Sequence, residues 1–208
     1  MSDNLTKRLI GGLVLVIALL PTFFVLDANI TRVALVVCGL LAVYECAYYD
    51  YSIYSLIAIS CGATITTIAS RPILGLIILS SFGYDVFAYF GGKLLGGRLI
   101  KTRPFPKTSP NKSWEGLVIG LIVSIAVCFL FRHFYLAEFP KLPIIELSGG
   151  IIAAAGDYLN SRDKRTIGIK DSGTRFTGPL LPGHGGFVDR FASLFFVAAT
   201  AGLLSALL

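Results

Sequence analysis

The sequence predicts an all-α polytopic integral membrane protein of about seven transmembrane helices, with a cytoplasmic N-terminus and its charged loops on the cytoplasmic side. Three observations predict it. First, the 208 residues are 55% apolar and only 14% charged, with a mean hydropathy of +0.77, whereas soluble domains carry about 25% charged residues. Second, the apolar residues fall into seven separate runs. Backbone in lipid must satisfy its own hydrogen bonds, so these runs read as helices; the alternating pattern of a membrane barrel is absent. Third, the basic residues are sided. With the N-terminus inside, Lys7, Arg8, Lys93, Arg98, Lys101, Arg103, Lys107, Lys112, Arg162, Lys164, Arg165, Lys170, Arg175 and Arg190 face the cytoplasm, and Arg32, Arg71, Arg132 and Lys141 face outward. That division of the 18 basic residues, 14 against 4, follows the positive-inside rule.

The first run, Leu9–Leu26, follows a basic start. It is long, with Pro21 and Asp27 toward its end, and lacks a small-residue cleavage site, so it reads as an uncleaved helix rather than a signal peptide. The others are Val33–Tyr49, Ile53–Ile68, Ile73–Phe90, Leu117–Phe131, Leu142–Leu159 and Phe187–Leu208. Each approaches the ~17–25 residues needed to cross a bilayer, the third and fifth being the shortest. Between the fourth and fifth, KTRPFPKTSPNK (101–112) holds three prolines and is not regular helix throughout. Tyr48, Tyr49, Tyr51 and Tyr54 read as an aromatic belt at the cytoplasmic interface, and Trp114 as an anchor or part of a site. Glu45, far in sequence from the charged loops, reads as an interhelical hydrogen-bonding group. Cys38, Cys46, Cys61 and Cys128 lie in apolar runs without ligand spacing and read as buried free thiols. The formal charge of +6 sits in two loops beside membrane segments, which favours anionic lipid or a phosphorylated small molecule over nucleic acid.

The chemistry concentrates in Gly156–Arg190, where aspartates, cations, glycines and a histidine stand between two apolar runs. Charge beside a bilayer is costly and marks a working site. Asp157, Ser161, Lys164 and Arg165 have the spacing i, i+4, i+7, i+8 and share a face if the sixth helix continues past Leu159. Carboxylates that hold Mg²⁺, next to cations that neutralise phosphate, are what phosphoryl or nucleotidyl transfer needs. Asp189 is the natural second carboxylate; pairing of Asp157 and Asp189 with Lys164, Arg165 or Arg190 is the alternative. Pro182-Gly183-His184-Gly185-Gly186 is a tight turn before a helix, whose glycines would let a phosphate approach the helix N-terminus. His184 is a phosphate donor, an acid/base or a structural residue; the spacing does not choose. Asp85, inside the fourth run, needs a polar cavity or a partner such as Lys93 or Arg190.

These residues resemble the CDP-diacylglycerol synthase family, the phosphatidate cytidylyltransferases. The family signature is S-x-x-K-R, four residues, K-D, a spacer, P-G-H-G-G, two residues, D-R. Ser161, Lys164, Arg165, Lys170, Asp171, Pro182, Gly183, His184, Gly185, Gly186, Asp189 and Arg190 fit it. A second block agrees: Asp85 to Lys93 (DVFAYFGGK) resembles D-x-x-A-Y-x-x-G-[RK], and Ser109 to Gly116 (SPNKSWEG) resembles S-P-K-K-T-W-E-G. The chain departs from the pattern in a spacer longer by about five residues after Asp171, in Ala192 where an aspartate is usual, and in Asn160 and Asp163.

The resemblance implies transfer of the cytidylyl group from CTP to phosphatidate, giving CDP-diacylglycerol and pyrophosphate, with Mg²⁺ on Asp157 and Asp189. It implies charge neutralisation by Lys164, Arg165 and Lys170, with Asp171 (a third candidate for the metal), His184 and Arg190 also in the catalytic set, and substrate contacts at Asp85, Lys112, Ser161, Gly185 and Gly186. It further implies a homodimer in a bacterial plasma membrane with the site facing the cytoplasm, no nucleic-acid partner, and one or two N-terminal spans missing. Residues 1–84 then form N-terminal helices and 85–208 the catalytic part of one transmembrane domain. A CTP-dependent lipid kinase and a non-catalytic homologue are the alternatives.

Overall fold

The computed structural model describes residues 28–135, 143–180 and 185–207, whose regular structure is helical with no strand among them. The helices are α1 (Ala28–Tyr48), α2 (Ile53–Ile68), α3 (Arg71–Leu95), α4 (Trp114–Tyr135), α5 (Pro143–Thr166) and α6 (Phe187–Leu207). The Leu9–Leu26 run lies outside the described residues. The other six runs correspond to the six helices, although only α1, α3, α4 and α6 are both long and apolar enough to cross a membrane. α2 falls short at 16 residues, and α5 has a polar C-terminal part (DYLNSRDKRT). The 101–112 loop contains no helix.

α1, α3, α4 and α5 overrun their apolar limits, and for α3 and α5 the reason is visible. α3 continues past Phe90 because Gly91 and Gly92 lie against α4: a Cβ at Gly91 would meet Ile119 at 2.9 Å, and one at Gly116 would meet the Ala88 carbonyl at 2.6 Å. It stops just before Gly97, which has φ +78°. α5 continues to Thr166 and is closed by Gly168, also at φ +78°. There Ile169 N–H reaches Lys164 O (2.9 Å) and Gly168 N–H reaches Arg165 O (3.3 Å). That pair of bonds is the glycine-terminated Schellman end of a helix. It brings Asp157, Ser161, Lys164 and Arg165 onto one continuous helix.

Small residues let the helices approach. Gly62 of α2 sits on the Phe195 backbone of α6, Gly149 of α5 on Ser80, and Gly156 on Phe196. Ser124 Oγ donates to Ser80 O at 2.8 Å, tying α4 to α3. Close backbone contact and interhelical hydrogen bonds replace the hydrophobic drive that lipid removes. Phe191, Phe195, Leu194 and Val188 of α6 are fully buried with Leu35, Ile59, Leu74 and Ile77, so α6 is the central helix. Cys46 and Cys128 are buried and Cys38 is half-buried, but Cys61 is exposed on the outer side of α2, which corrects the expectation for that thiol. At one end of the bundle Arg32 caps Ala69 O (2.9 Å) and Arg132 meets Glu146 (3.4 Å). The other end gathers the residues of the two sequence blocks.

Candidate active site

One face of α5 organises this polar end. Asp157 forms an ion pair with Lys112 from the 101–112 loop, and Lys164, two turns on, forms one with Asp189 at the start of α6. The rise of the helix sets the two pairs about 10 Å apart along α5, with Ser161 between them. The bland alternative is thus met in part: both acids are paired, Asp157 with Lys112 rather than with the cations on its own helix. The pairs differ in exposure. Lys112 and Asp157 side chains are 28% and 30% exposed, those of Lys164 and Asp189 only 12% and 7%. Breaking a buried pair strands a charge and costs about 3–5 kcal/mol, whereas exposed pairs are worth about 0–1 kcal/mol. The Asp157 end is therefore the part that an incoming charged molecule can rearrange.

Around Asp157, Lys112 Nζ lies 6.0 Å from the Phe105 ring centroid, and Phe105 packs on Tyr158 with centroids 4.7 Å apart. The proline-rich loop thus presents an aromatic and a cation to the α5 face. Glu115 anchors its neighbour: Oε1 accepts from Gly97 N (3.1 Å), Leu99 N (2.9 Å) and Ile100 N (2.9 Å). Asp85 on α3 accepts from Ser193 Oγ at 3.4 Å and feels the charges of Asp157, Lys112 and Arg190. Its cationic neighbours are Lys112 and Arg190; Lys93 stands exposed on α3.

The Asp189 end is built differently. Asp189 Oδ2 accepts from Ser172 N (2.7 Å), Ser172 Oγ (3.1 Å) and Gly186 N (3.1 Å), while Oδ1 faces Lys164. Glu45, fully buried on α1, accepts from Phe187 N at 3.0 Å, Val188 N at 2.9 Å and Ser172 Oγ at 2.9 Å. A side chain on Gly186 would run into Glu45 and Ser172, and one on Gly185, at φ +77°, into Asp189. The sequence reading reserved this helix N-terminus for a phosphate. In the fold Glu45 accepts from Phe187 and Val188 N–H and Asp189 from Gly186 N–H, and the glycines make room for these two carboxylates.

The other expected residues divide as follows. Arg165 is exposed and donates to Thr108 O (3.2 Å) and Ile169 O (3.0 Å), which ties the two polar loops together. Lys170 and Asp171 are exposed. His184, with Pro182 and Gly183, lies outside the described residues.

Sequence reasoning missed the support beneath the site. Of the tyrosine belt, Tyr48 and Tyr54 are exposed, but Tyr49 donates to Gly173 O (3.2 Å) and Tyr51 to Asn160 Oδ1 (3.3 Å). Burial pushes the Tyr51 hydroxyl above the usual phenol range, so it remains a donor. Ser52, the N-cap of α2, donates to Asp163 at 2.7 Å. Asn160 and Asp163, two departures from the family pattern, thus have partners in the short connection between α1 and α2. Glu45 carried a signal, a lone acid in an apolar run, but nothing in the sequence told which helix it would meet.

The sequence profile of the cytidylyltransferase family matches residues 51–208, a stretch that includes both ion pairs. A phosphatidate cytidylyltransferase of Rickettsia bellii (strain RML369-C) is 32% identical, over 94% of this chain and 88% of that protein. One of Rickettsia felis is 31% identical, over 99% and 94%. One of Helicobacter pylori (strain ATCC 700392 / 26695) is 42% identical over 55% of this chain, and the match spans 40% of that protein's length.

Proposed function

The chain belongs to the cytidylyltransferase family, and from that premise we propose that it is a phosphatidate cytidylyltransferase, an enzyme of phospholipid synthesis that makes CDP-diacylglycerol and pyrophosphate from CTP and phosphatidate. The observation that carries the reading is the pairing of Lys112 with Asp157 and of Lys164 with Asp189 at one end of a membrane bundle, inside the matched residues.

A lipid phosphate oxygen forms a bond to the α-phosphorus of CTP, and the bond from that phosphorus to the bridging oxygen breaks, releasing pyrophosphate. The attacking group is already an anion, so no protein nucleophile is needed and catalysis is alignment plus charge neutralisation. Lys112 opens from Asp157 to take a phosphate. Lys164, Arg165 and Lys170 offset the charge of the departing pyrophosphate, Asp171, His184 and Arg190 complete the proposed catalytic set, and Ser161 donates a hydrogen bond.

The donors present fit Mg²⁺, which takes one or two carboxylates and leaves its other positions to water and phosphate oxygens. Among the described residues no three acidic, histidine or cysteine side chains form a metal group, but Asp157 is half-exposed with Asp85 near it. Asp189 already accepts from Lys164, Ser172 and Gly186; as a second ligand it must give one of these up. Bound there, Mg²⁺ would neutralise phosphate oxygens. A bacterial plasma membrane, a cytoplasmic site and a homodimer complete the proposal.

The test is label transfer from CTP into lipid with purified protein, phosphatidate and Mg²⁺. Phosphorus label enters the lipid from the α position and not from the γ position. Entry only from γ, with diacylglycerol or a polyprenol as acceptor, would mean a lipid kinase instead.

A further inference from the structure

We propose that Glu45 is a positioning residue for Lys164, acting through Ser172 and Asp189. It rests on the cytidylyl-transfer reading and concerns a residue that stands before the matched region. Glu45 is fully buried on α1. Its Oε1 accepts from Phe187 N and its Oε2 from Val188 N, which are donors of the first turn of α6. A helix leaves those N–H groups without internal partners, and its dipole favours an anion beside them. Glu45 therefore fixes where α6 begins. Two residues on, Asp189 carries the acid that meets Lys164.

The same carboxylate has a second route to that acid. Ser172 Oγ lies 2.9 Å from Glu45 Oε2 and 3.1 Å from Asp189 Oδ2. One hydroxyl proton is thus shared between the two acids, while Ser172 N donates to Asp189 at 2.7 Å. The relay runs Glu45, Ser172, Asp189, Lys164. It joins α1, the 172–180 segment, α6 and α5 at one point. The packing leaves no slack, since a Cβ on Gly186 would overlap both Glu45 and Ser172. Asp189 is held by fixed donors on one oxygen and offers the other to Lys164. The ammonium is thereby kept at a set position on α5 instead of ranging over the loop.

Glutamine at position 45 keeps the size but has one acceptor oxygen and an NH₂ that faces donors, so at least one of the three bonds is lost. In Glu45→Gln we expect kcat for cytidylyl transfer to fall about 10- to 100-fold, the scale of a small misplacement at a reacting centre, with KM for CTP little changed. The readout independent of activity is acylation of Lys164 by an amine reagent, measured by peptide mass spectrometry against exposed Lys170. Its rate relative to Lys170 rises several-fold in the folded variant. Ser172→Ala, which removes only the hydroxyl, shifts both readouts the same way by less, and carries the test if Glu45→Gln fails to fold. The double variant loses less than the sum of the two single losses, because Ser172 is one of the two routes by which Glu45 reaches Asp189. A folded Glu45→Gln with wild-type kcat and an unchanged labelling ratio overturns the inference, as do losses that simply add in the double variant. If the wild-type protein transfers no label while the labelling ratio still shifts, the relay stands and the proposed reaction is what fails.

Discussion

Asp157 and Asp189 are both aspartates paired to lysines, yet they are set up for opposite work. Asp157 is reachable and has a flexible ammonium from a proline-rich loop as its partner; Asp189 is enclosed and meets backbone, hydroxyl and ammonium donors together. Two expectations separate them. Asp157→Ala abolishes turnover, a loss of at least about 100-fold on the scale of removing one charge-stabilising group, while circular dichroism and gel filtration in detergent stay those of the parent. Near-normal turnover would remove Asp157 from the metal set. Lys164→Met leaves Asp189 buried without its cation and lowers stability by about 3–5 kcal/mol. Lys112→Met costs about 1 kcal/mol or less because its pair is open to water. Thermal unfolding in one detergent ranks the two, and equal losses would mean that the burial difference has no energetic weight.

At the scale of elements, glycines decide how close helices come and where they end. Gly62 lies directly on the Phe195 backbone, so Gly62→Ala has to part α2 from α6; overpacking of that kind costs about 1–3 kcal/mol and lowers the melting temperature accordingly. Gly150 faces side-chain rather than backbone atoms, Ser124 Oγ at 2.9 Å and Cβ at 3.0 Å, so Gly150→Ala is the milder change and acts mainly on the bond from Ser124 to Ser80. A melting temperature unmoved by Gly62→Ala would show that the α2–α6 contact can slide. The helices themselves were legible in the sequence, since six apolar runs became α1 to α6, and so was the shared α5 face, because the i, i+4, i+7 spacing needed only a helix that went on to Gly168. The partners were not legible. Periodicity gives the face that a residue occupies and not the element it meets, so Lys112 beside Asp157 and Glu45 beneath α6 emerged only from the packing of helices distant in sequence. At the Gly-rich turn too the sequence named the donors and not their partners: Gly186 N–H meets Asp189, and Phe187 and Val188 N–H meet Glu45.

Over the whole molecule, the contacts divide into two ends that the loop order makes alternate. Arg32 with Ala69 and Arg132 with Glu146 lie at one. Tyr49 with Gly173, Ser52 with Asp163, Lys112 with Asp157 and Lys164 with Asp189 lie at the other. The positive-inside count was made from sequence alone, and it assigns the cytoplasm to the end that carries the ion-paired lysines. Lys112 and Lys164 belong both to that count and to the ion pairs, so the sidedness of the charge and the position of the site are one question. One expectation follows from it. Lys107→Cys and Arg162→Cys, both at exposed positions of the charged end, react with a membrane-impermeant maleimide in inverted vesicles and not in right-side-out cells. Ser70→Cys, exposed at the opposite end, shows the reverse. The parent protein corrects for Cys61, whose exposed position on α2 gives it a background of its own. Labelling of positions 107 and 162 from opposite sides would break the shared site, since Arg165 could then not reach the backbone of Thr108. Labelling of both from outside would keep the site intact and turn it away from the compartment that holds CTP, which the proposed reaction cannot accommodate.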